Sequence, residues 1–199
     1  MLAEEADSRL LIDPGCFSAG FEELSGLTGI LITHIHDDHL DISRMHALLE
    51  TNPDARIICD EASAEAFQES GVTAEVVHAG DALDLGLSVR IYGRDHAVIH
   101  PELPNVPNVG YLLADRFFVA GDAFTVPDKP IEILAVPVGA AWMKVSEAID
   151  WVNTIRPRVI LPVHDHGNVF AEWIYHLFEQ LSPSGTAVTI LEGEGTTFA

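Results

Sequence analysis

Four potential metal ligands lie within six consecutive positions, directly after the short apolar run Gly29-Ile30-Leu31-Ile32; they are His34, His36, Asp38 and His39. An apolar run of this length predicts a short buried strand. His34 and His36 would share one face of that strand because successive side chains alternate in direction. Asp38 and His39 follow the strand and can turn toward a second position close by. The spacing therefore predicts two adjacent metal ions where a buried strand opens into a loop.

Apolar and β-branched segments recur along the whole chain. They predict nine strands, over Arg9–Ile12, Gly29–Thr33, Arg56–Cys59, Leu87–Tyr92, Val109–Ala114, Arg116–Ala120, Ile131–Val136, Val159–Val163 and Ala187–Leu191. Helical spacing of apolar residues predicts four helices, over Leu40–Glu50, Glu61–Ser70, Val145–Ile155 and Val169–Leu181, the last with Asn168 as its cap. No linker or repeat divides the 199 residues. One α/β domain over residues 1–199, with sheets covered by helices, is the expected fold.

The composition indicates a soluble globular protein, with 48% hydrophobic and 21% charged residues. No apolar run approaches the roughly 20 residues that a membrane-spanning helix needs. No signal peptide is recognisable at the start of the sequence. The two cysteines, Cys16 and Cys59, cannot form a disulfide framework and are predicted to be buried thiols. These features predict a cytoplasmic protein.

The charge balance excludes two classes of partner. Ten Lys and Arg residues stand against 31 Asp and Glu residues, which gives a formal net charge of −21. Binding to nucleic acid or to an anionic membrane surface requires clustered positive charge. We therefore expect a small-molecule substrate, with neither nucleic acid nor membrane as a partner.

Further potential ligands follow other predicted strands. Asp122 comes after Arg116–Ala120, and His164 comes after Val159–Val163. His96 and His100 both follow Leu87–Tyr92, and spacing alone leaves the choice between them open, although His96 is nearer to the strand. Several strands that end in nitrogen or oxygen ligands predict one convergent site at one edge of the fold, on loops held by a rigid scaffold.

These residues and their order resemble the metallo-β-lactamase fold superfamily of metal-dependent hydrolases. The resemblance rests on His34-x-His36-x-Asp38-His39, then His96, Gly121-Asp122 and His164, preceded by Leu11-Ile12-Asp13-Pro14-Gly15. Gly93–Ala97 and Asn108–Leu112 are similar to the lactonase-like and phospholipase-D-like small hydrolases of that superfamily. The resemblance implies a four-layer αββα sandwich with the site along one edge.

The resemblance also implies the ligands of two metal ions. For the first ion they are His34, His36 and His96. For the second ion they are Asp38, His39 and His164, with Asp122 bridging the two ions. Asp13 is implied to support the ligand loops without binding metal, as outer partners of ligands do. Zn²⁺ suits such a set best, while Mn²⁺ or iron would also be accepted.

The expected activity is hydrolysis by a metal-activated hydroxide, because bound metal lowers the pKa of water from 15.7 to about 7. Asp38 is the candidate catalytic residue, since besides binding metal it could position the hydroxide or move its proton. The scissile bond is expected to belong to an ester, a lactone or a phosphodiester. Residues that could contact the substrate are His100, Trp142 and His166.

Two other interpretations stay open. A metal-binding protein or subunit could keep the fold without catalysis, although the complete ligand set argues against this. A di-iron redox enzyme is also known in the superfamily, but such members usually have a further acidic ligand and a flavin domain.

Positive charge near the site bears on the class of substrate. Scattered cations mark no phosphate clamp, although Arg94 and Lys144 could approach the site.

The start of the chain bears on assembly. The superfamily usually has one or two strands before the Asp13 segment, and Met1–Ala3 could be the end of one. A missing first strand would leave a sheet edge exposed, which formation of a homo-oligomer could cover.

Overall fold

Two β-sheets form the centre of the protein in the computed structural model, which describes residues 1–191 and 195–198. The first sheet has the strand order β1-β2-β3-β4-β5. Its strands are β1 (Leu2–Glu5), β2 (Ser8–Ile12), β3 (Gly29–Leu31), β4 (Arg56–Cys59) and β5 (Glu75–Val76). The second sheet has the order β12-β11-β10-β9-β8-β7-β6. Its strands are β6 (Ala82–Asp84), β7 (Ser88–Tyr92), β8 (Gly110–Leu113), β9 (Phe117–Val119), β10 (Ile133–Pro137), β11 (Val159–Val163) and β12 (Ala187–Val188).

Helices cover the outer faces of both sheets. They are α1 (Ile42–Thr51), α2 (Glu61–Glu69), α3 (Val145–Ile155) and α4 (Ala171–Leu181), with a short 3-10 helix at Phe21–Glu23. Apolar residues of α1 and α2, such as Leu48 and Phe67, pack on the first sheet. Trp151 of α3 and Phe178 of α4 pack on the second sheet in the same way. The result is the four-layer αββα sandwich that the resemblance implied.

Alternation along single strands produces the layers. In β2, Leu10 and Ile12 enter the core between the sheets, whereas Leu11 enters the core beneath α1 and α2. In β10, Ala135 faces the core between the sheets and its neighbours Leu134 and Val136 face the other helices. Strands buried on both faces must be apolar at every position, which explains the unbroken apolar runs of the sequence.

Strand direction brings the potential ligands to one edge. Strands β2, β3 and β4 run parallel to one another, as do β9, β10 and β11. Strand β7 is antiparallel to β8, and β8 is antiparallel to β9, so β7 runs in the same direction as β9. Parallel strands end at the same edge of a sheet, and the loops after β3, β7, β9 and β11 therefore meet there.

Most predicted elements are present with boundaries shifted by one to three residues, and some expectations were wrong. The helix predicted to start at Val169 begins at Ala171; Asn168 is not its N-cap, and its side chain instead accepts a hydrogen bond from the backbone N–H of Phe170. Cys16 is exposed, because it lies in the loop after β2, while Cys59 is buried as expected. Strands β5 and β6 were not predicted, because each is short and largely exposed. The strand end expected at Met1–Ala3 is β1, which pairs antiparallel with β2.

The structure also bears on membrane insertion. Within residues 1–191 and 195–198, no helix combines the length and the apolar character that crossing a bilayer requires.

One buried hydroxyl joins the two sheets. Tyr111 in β8 is fully buried, and its hydroxyl lies 2.7 Å from the carbonyl oxygen of Ile32 and 3.1 Å from that of Ile58.

We expect Tyr111→Phe to lower the free energy of unfolding by about 1–3 kcal/mol, because buried carbonyls lose their donor. Urea unfolding measures this change. Tyr92→Phe is the matched control, since its hydroxyl donates to Asp128 at the surface. An equal loss in both variants would contradict the assigned role.

Candidate metal centre

The edge where the strands end gathers all seven predicted ligands. Their potential ligand atoms form three overlapping groups, and within each group the atoms lie within 4.8 Å of one another. The first group is His34, His36 and His96, and the second group is Asp38, His39 and His164; the remaining set, His34, His39 and Asp122, overlaps both. His34 and His39 each belong to two of these sets and so connect all seven residues into one cluster. The roles of these residues as ligands stay predictions, but the fold places them together.

The first group consists of three imidazoles whose free nitrogens face one point. His34 Nδ1 lies 3.1 Å from the Thr33 hydroxyl, and His96 Nδ1 lies 2.5 Å from the carbonyl oxygen of Ala97. The carbonyl can only accept, so His96 Nδ1 carries the proton and Nε2 keeps a lone pair. That Nε2 atom is buried and has no hydrogen-bond partner. His36 Nδ1 lies 3.1 Å from His34 Nε2, which completes the set.

The second group shows the same arrangement more sharply. His39 Nδ1 lies 2.8 Å from Asp13 Oδ2, and His164 Nδ1 lies 3.1 Å from the carbonyl oxygen of Gly139. Both Nδ1 atoms therefore donate, so in the neutral rings both Nε2 atoms carry lone pairs, yet these Nε2 atoms are only 2.9 Å apart. Asp38 Oδ2 lies 3.3 Å from His164 Nε2. Two lone pairs and a carboxylate that converge in this way require a cation or a proton between them.

Asp122 lies between the two groups and is almost completely buried. Its Oδ1 is 3.2 Å from both His39 Nε2 and His164 Nε2, whereas its Oδ2 is 3.5 Å from His96 Nε2. Oδ1 has no hydrogen-bond partner, although it is shielded from solvent. An orphaned carboxylate oxygen is costly in a protein interior unless a charge compensates it. Together with the unpaired imidazole of His96, it shows that the donor set fits divalent cations.

Protonation differs between the two groups. Burial lowers the pKa of His34 well below its usual value, and the nearby His39 adds to the effect. Burial also lowers the pKa of His36, with a further contribution from His96. His34 and His36 are therefore uncharged at neutral pH, and the uncharged imidazole is the form that binds metal.

The second group attracts positive charge. Burial lowers the pKa of His39, but the carboxylates of Asp13 and Asp122 outweigh it and raise the pKa to about 10. His164 behaves in the same way, because Asp122 outweighs the effect of burial and raises its pKa. Burial raises the pKa of Asp122, but the imidazoles of His164, His39 and His96 beside it hold that pKa well below its usual range. A cation that binds to this group therefore displaces a proton.

Asp13 fixes the ligand loop from behind. Its Oδ1 accepts from the backbone N–H of Thr33 at 2.8 Å, and its Oδ2 accepts from the Thr33 hydroxyl at 2.8 Å. Oδ2 also accepts from His39, so one carboxylate orients both the strand end and a ligand. Asp13 and His164 have φ angles of 49° and 61°, values that are uncommon for residues other than glycine. Such backbone geometry is concentrated at functional sites.

Two glycines allow the loops to approach one another. A Cβ atom on Gly15 would lie 1.8 Å from the carbonyl oxygen of Asp38. A Cβ atom on Gly121 would lie 2.3 Å from Asn108 Oδ1 and 2.7 Å from Thr33 Cβ. The segments that carry the ligands thus pack closely against one another, and a larger residue at either position would push them apart.

An open cavity of about 550 Å³ leads to the cluster. Trp142 and His166, two of the predicted substrate contacts, line this cavity. His100 lies in a neighbouring depression, exposed, with its Nδ1 3.2 Å from the backbone nitrogen of Glu102. Arg94 and Lys144 are more than three quarters exposed, pair with acidic neighbours and do not line this cavity.

Sequence reasoning missed the residues that aim the ligands. Thr33, Asn108 and Gly139 orient His34, Asp122 and His164 through a hydroxyl, an amide and a backbone carbonyl. The only signal for Thr33 was its place between the strand and the first histidine. Asn108 and Gly139 are distant in sequence from the ligands that they contact, and only the folded chain identifies them.

Fold and site together define a protein of the metallo-β-lactamase fold. The crystal structure of a protein from Parabacteroides distasonis superposes with a TM-score of 0.75 and 25% sequence identity, over 95% of this chain and 87% of that one. Protein Rv0786c of Mycobacterium tuberculosis is 45% identical over 170 residues, which is 82% of this chain and 79% of that protein. The UPF0173 metal-dependent hydrolase of Aeropyrum pernix is 29% identical over 192 residues, covering 81% of this chain and 76% of the relative.

The sequence model of the beta-lactamase superfamily domain matches residues 1–164. This match includes every predicted ligand, from the first histidine of the cluster to His164. The chain therefore belongs to the family described as the beta-lactamase superfamily domain.

The choice between His96 and His100 can be tested by metal content. We expect His96→Ala to lower the affinity of the first group by at least about 100-fold, because it removes a buried nitrogen that faces the other two imidazoles. His100→Ala should leave metal content unchanged, because His100 is exposed and lies outside the cluster. Equilibrium dialysis against Zn²⁺ followed by elemental analysis measures both. Loss of metal in His100→Ala alone would contradict the assignment.

Trp142 provides a second test. Its Nε1 donates to Asp122 Oδ2 at 2.6 Å, which fixes the orientation of that carboxylate. We expect Trp142→Phe to weaken metal binding by about 10- to 100-fold, the usual effect of losing an outer partner of a ligand. Competition with a chromophoric chelator measures this affinity. Trp173→Phe is the control, because that ring is 60% exposed on α4. Equal affinities in wild type and Trp142→Phe would show that the hydrogen bond does not orient Asp122.

Proposed function

We propose that the protein is a metal-dependent hydrolase that holds two divalent metal ions in this cluster and cleaves a small-molecule ester or lactone. The observation that carries the proposal is the convergence of imidazole lone pairs and a buried carboxylate on two neighbouring points. His34, His36 and His96 would hold one ion. Asp38, His39 and His164 would hold the other, and Asp122 faces both. Nitrogen and carboxylate donors suit Zn²⁺ best, and Mn²⁺ or iron would also bind.

The ions, when bound, supply Lewis acidity and lower the pKa of coordinated water toward neutrality. The chain itself supplies rigidity, since carbonyl or carboxylate acceptors fix His39, His96 and His164 in single tautomers. It also supplies a carboxylate at the solvent-facing side of the cluster. Asp38 keeps 31% of its side chain exposed and lines the cavity. Its position suits it to hold a reacting water by a hydrogen bond and to accept the proton of that water.

The cavity supports a carbonyl substrate over a phosphodiester. None of the cavity-lining side chains in the described ranges, 1–191 and 195–198, is a lysine or an arginine. Phosphate recognition commonly uses such cations. With a net charge of −21, the protein would also repel anionic substrates at long range. A neutral ester or lactone avoids both costs.

The same charge supports a small-molecule partner over nucleic acid or a membrane surface. A cytoplasmic location goes with this proposal, since two free thiols suit a reducing compartment.

Hydrolysis of a panel of 4-nitrophenyl esters, lactones and phosphodiesters by the metal-loaded protein tests the proposal. We expect ester or lactone cleavage that a chelator abolishes and that added Zn²⁺ restores. His36→Ala should lose at least about 100-fold in kcat/KM, and Asp38→Asn about 10²- to 10⁴-fold, the range typical of a positioned acid–base group.

His78→Ala is the control for these variants, because His78 is exposed and contacts Glu61 far from the cluster. The proposal fails if the loaded protein cleaves no member of the panel. Unchanged activity in His36→Ala would also overturn it.

A further inference from the structure

The mouth of the cavity carries large apolar side chains that face solvent. Phe17 is 60% exposed and Ile99 is 43% exposed, and both line the cavity that leads to the cluster. Exposed apolar side chains are common when they are scattered, but here they border the cavity that leads to the candidate metal centre. Trp142, which touches Asp122, continues this apolar wall inward to the cluster.

Phe17 is held in place and is not a loose loop residue. Its ring stacks on the imidazole of His166, with centroids 4.6 Å apart and planes 15° from parallel. The preceding residue, Cys16, donates its backbone N–H to the carbonyl oxygen of Asp37 at 2.8 Å. On the other side, Tyr175 donates to Asp165 at 2.7 Å and fixes the loop that carries His166. The stacked pair therefore joins a loop of the first sheet to a loop of the second sheet across the mouth.

We propose that Phe17, Ile99 and Trp142 form a subsite for an apolar part of the substrate. The substrate would be an uncharged ester or lactone with an apolar acyl or alcohol group of several carbons. This inference rests on the proposed function for the bond that is cleaved, but the subsite itself can be tested by binding alone. The stack on His166 fixes the Phe17 ring so that one face is available to the ligand.

The subsite should make both binding affinity and kcat/KM depend on the length of the acyl chain. Each methylene that the ligand buries contributes about fourfold, since about 0.8 kcal/mol per methylene corresponds to that ratio. A site that contacts only the scissile group would treat short and long acyl chains alike. Partial burial in an open cavity reduces the full effect, so we expect at least tenfold between acetyl and hexanoyl substrates.

The test compares 4-nitrophenyl acetate with 4-nitrophenyl hexanoate, and acetamide with hexanamide as unreactive binding probes. In the wild-type metal-loaded protein we expect kcat/KM at least tenfold higher for the hexanoate. Calorimetric titration should show hexanamide binding at least tenfold more tightly than acetamide. Phe17→Ala and Ile99→Ala should each remove most of this preference and leave the values for the two-carbon compounds within about twofold of wild type.

Leu181→Ala is the matched control, because Leu181 is 51% exposed at the far end of α4, outside the cavity lining. It should keep the full preference for the longer chain. Metal content and thermal midpoint, measured for all variants, should stay at wild-type values.

The outcomes separate the two proposals. If no ester is cleaved but hexanamide binds tightly and depends on Phe17, the hydrolase proposal fails and the subsite stands. If esters are cleaved with no preference for length, and both amides bind equally, the subsite is overturned while the hydrolase stands. A fall of equal size for both chain lengths in Phe17→Ala would also overturn the subsite, since it would show a general structural role.

Discussion

The site depends on how three imidazoles are aimed. Asp13, Ala97 and Gly139 each present an oxygen to the Nδ1 atom of a histidine, which forces the lone pair of Nε2 toward the interior of the cluster. Lone pairs brought together around the buried carboxylate of Asp122 are unfavourable by themselves. The fold holds them there because the strands that carry these residues are packed into large hydrophobic cores. Binding of cations would relieve this arrangement, and we interpret the edge of the sandwich as a site built for that purpose.

The sandwich supplies the stiffness that this arrangement needs. Ligand loops leave strands that are buried on both faces, and each sheet is covered by helices on its outer side. Gly15 lets the loop that carries Asp38 press against the loop after β2, and Gly121 does the same beside Thr33. Because these close contacts lie both within the first sheet and between the two sheets, the position of a ligand depends on the packing of the whole domain.

The sequence predicted much of this because metal chemistry leaves a local pattern. The window from His34 to His39 identifies ligands by type and spacing, and apolar runs identify strands that are buried on both faces. Long-range partners leave no such pattern. The contact of Gly139 with His164, like that of Trp142 with Asp122, joins residues at least 20 positions apart, and nothing in the local sequence indicates it. Exposure was equally hidden, which is why Cys16 was expected to be buried.

The arrangement of the substrate cavity follows from the same geometry. The polar ligands lie at its floor, and apolar side chains such as Phe17 border its mouth.

The number of metal ions per chain tests the central claim most directly. Elemental analysis of the protein as purified measures the metal, and amino-acid analysis measures the protein concentration. Two adjacent sites predict two ions per chain, falling to one when His164 is replaced by alanine. A single ion or none in the wild-type protein would contradict the account.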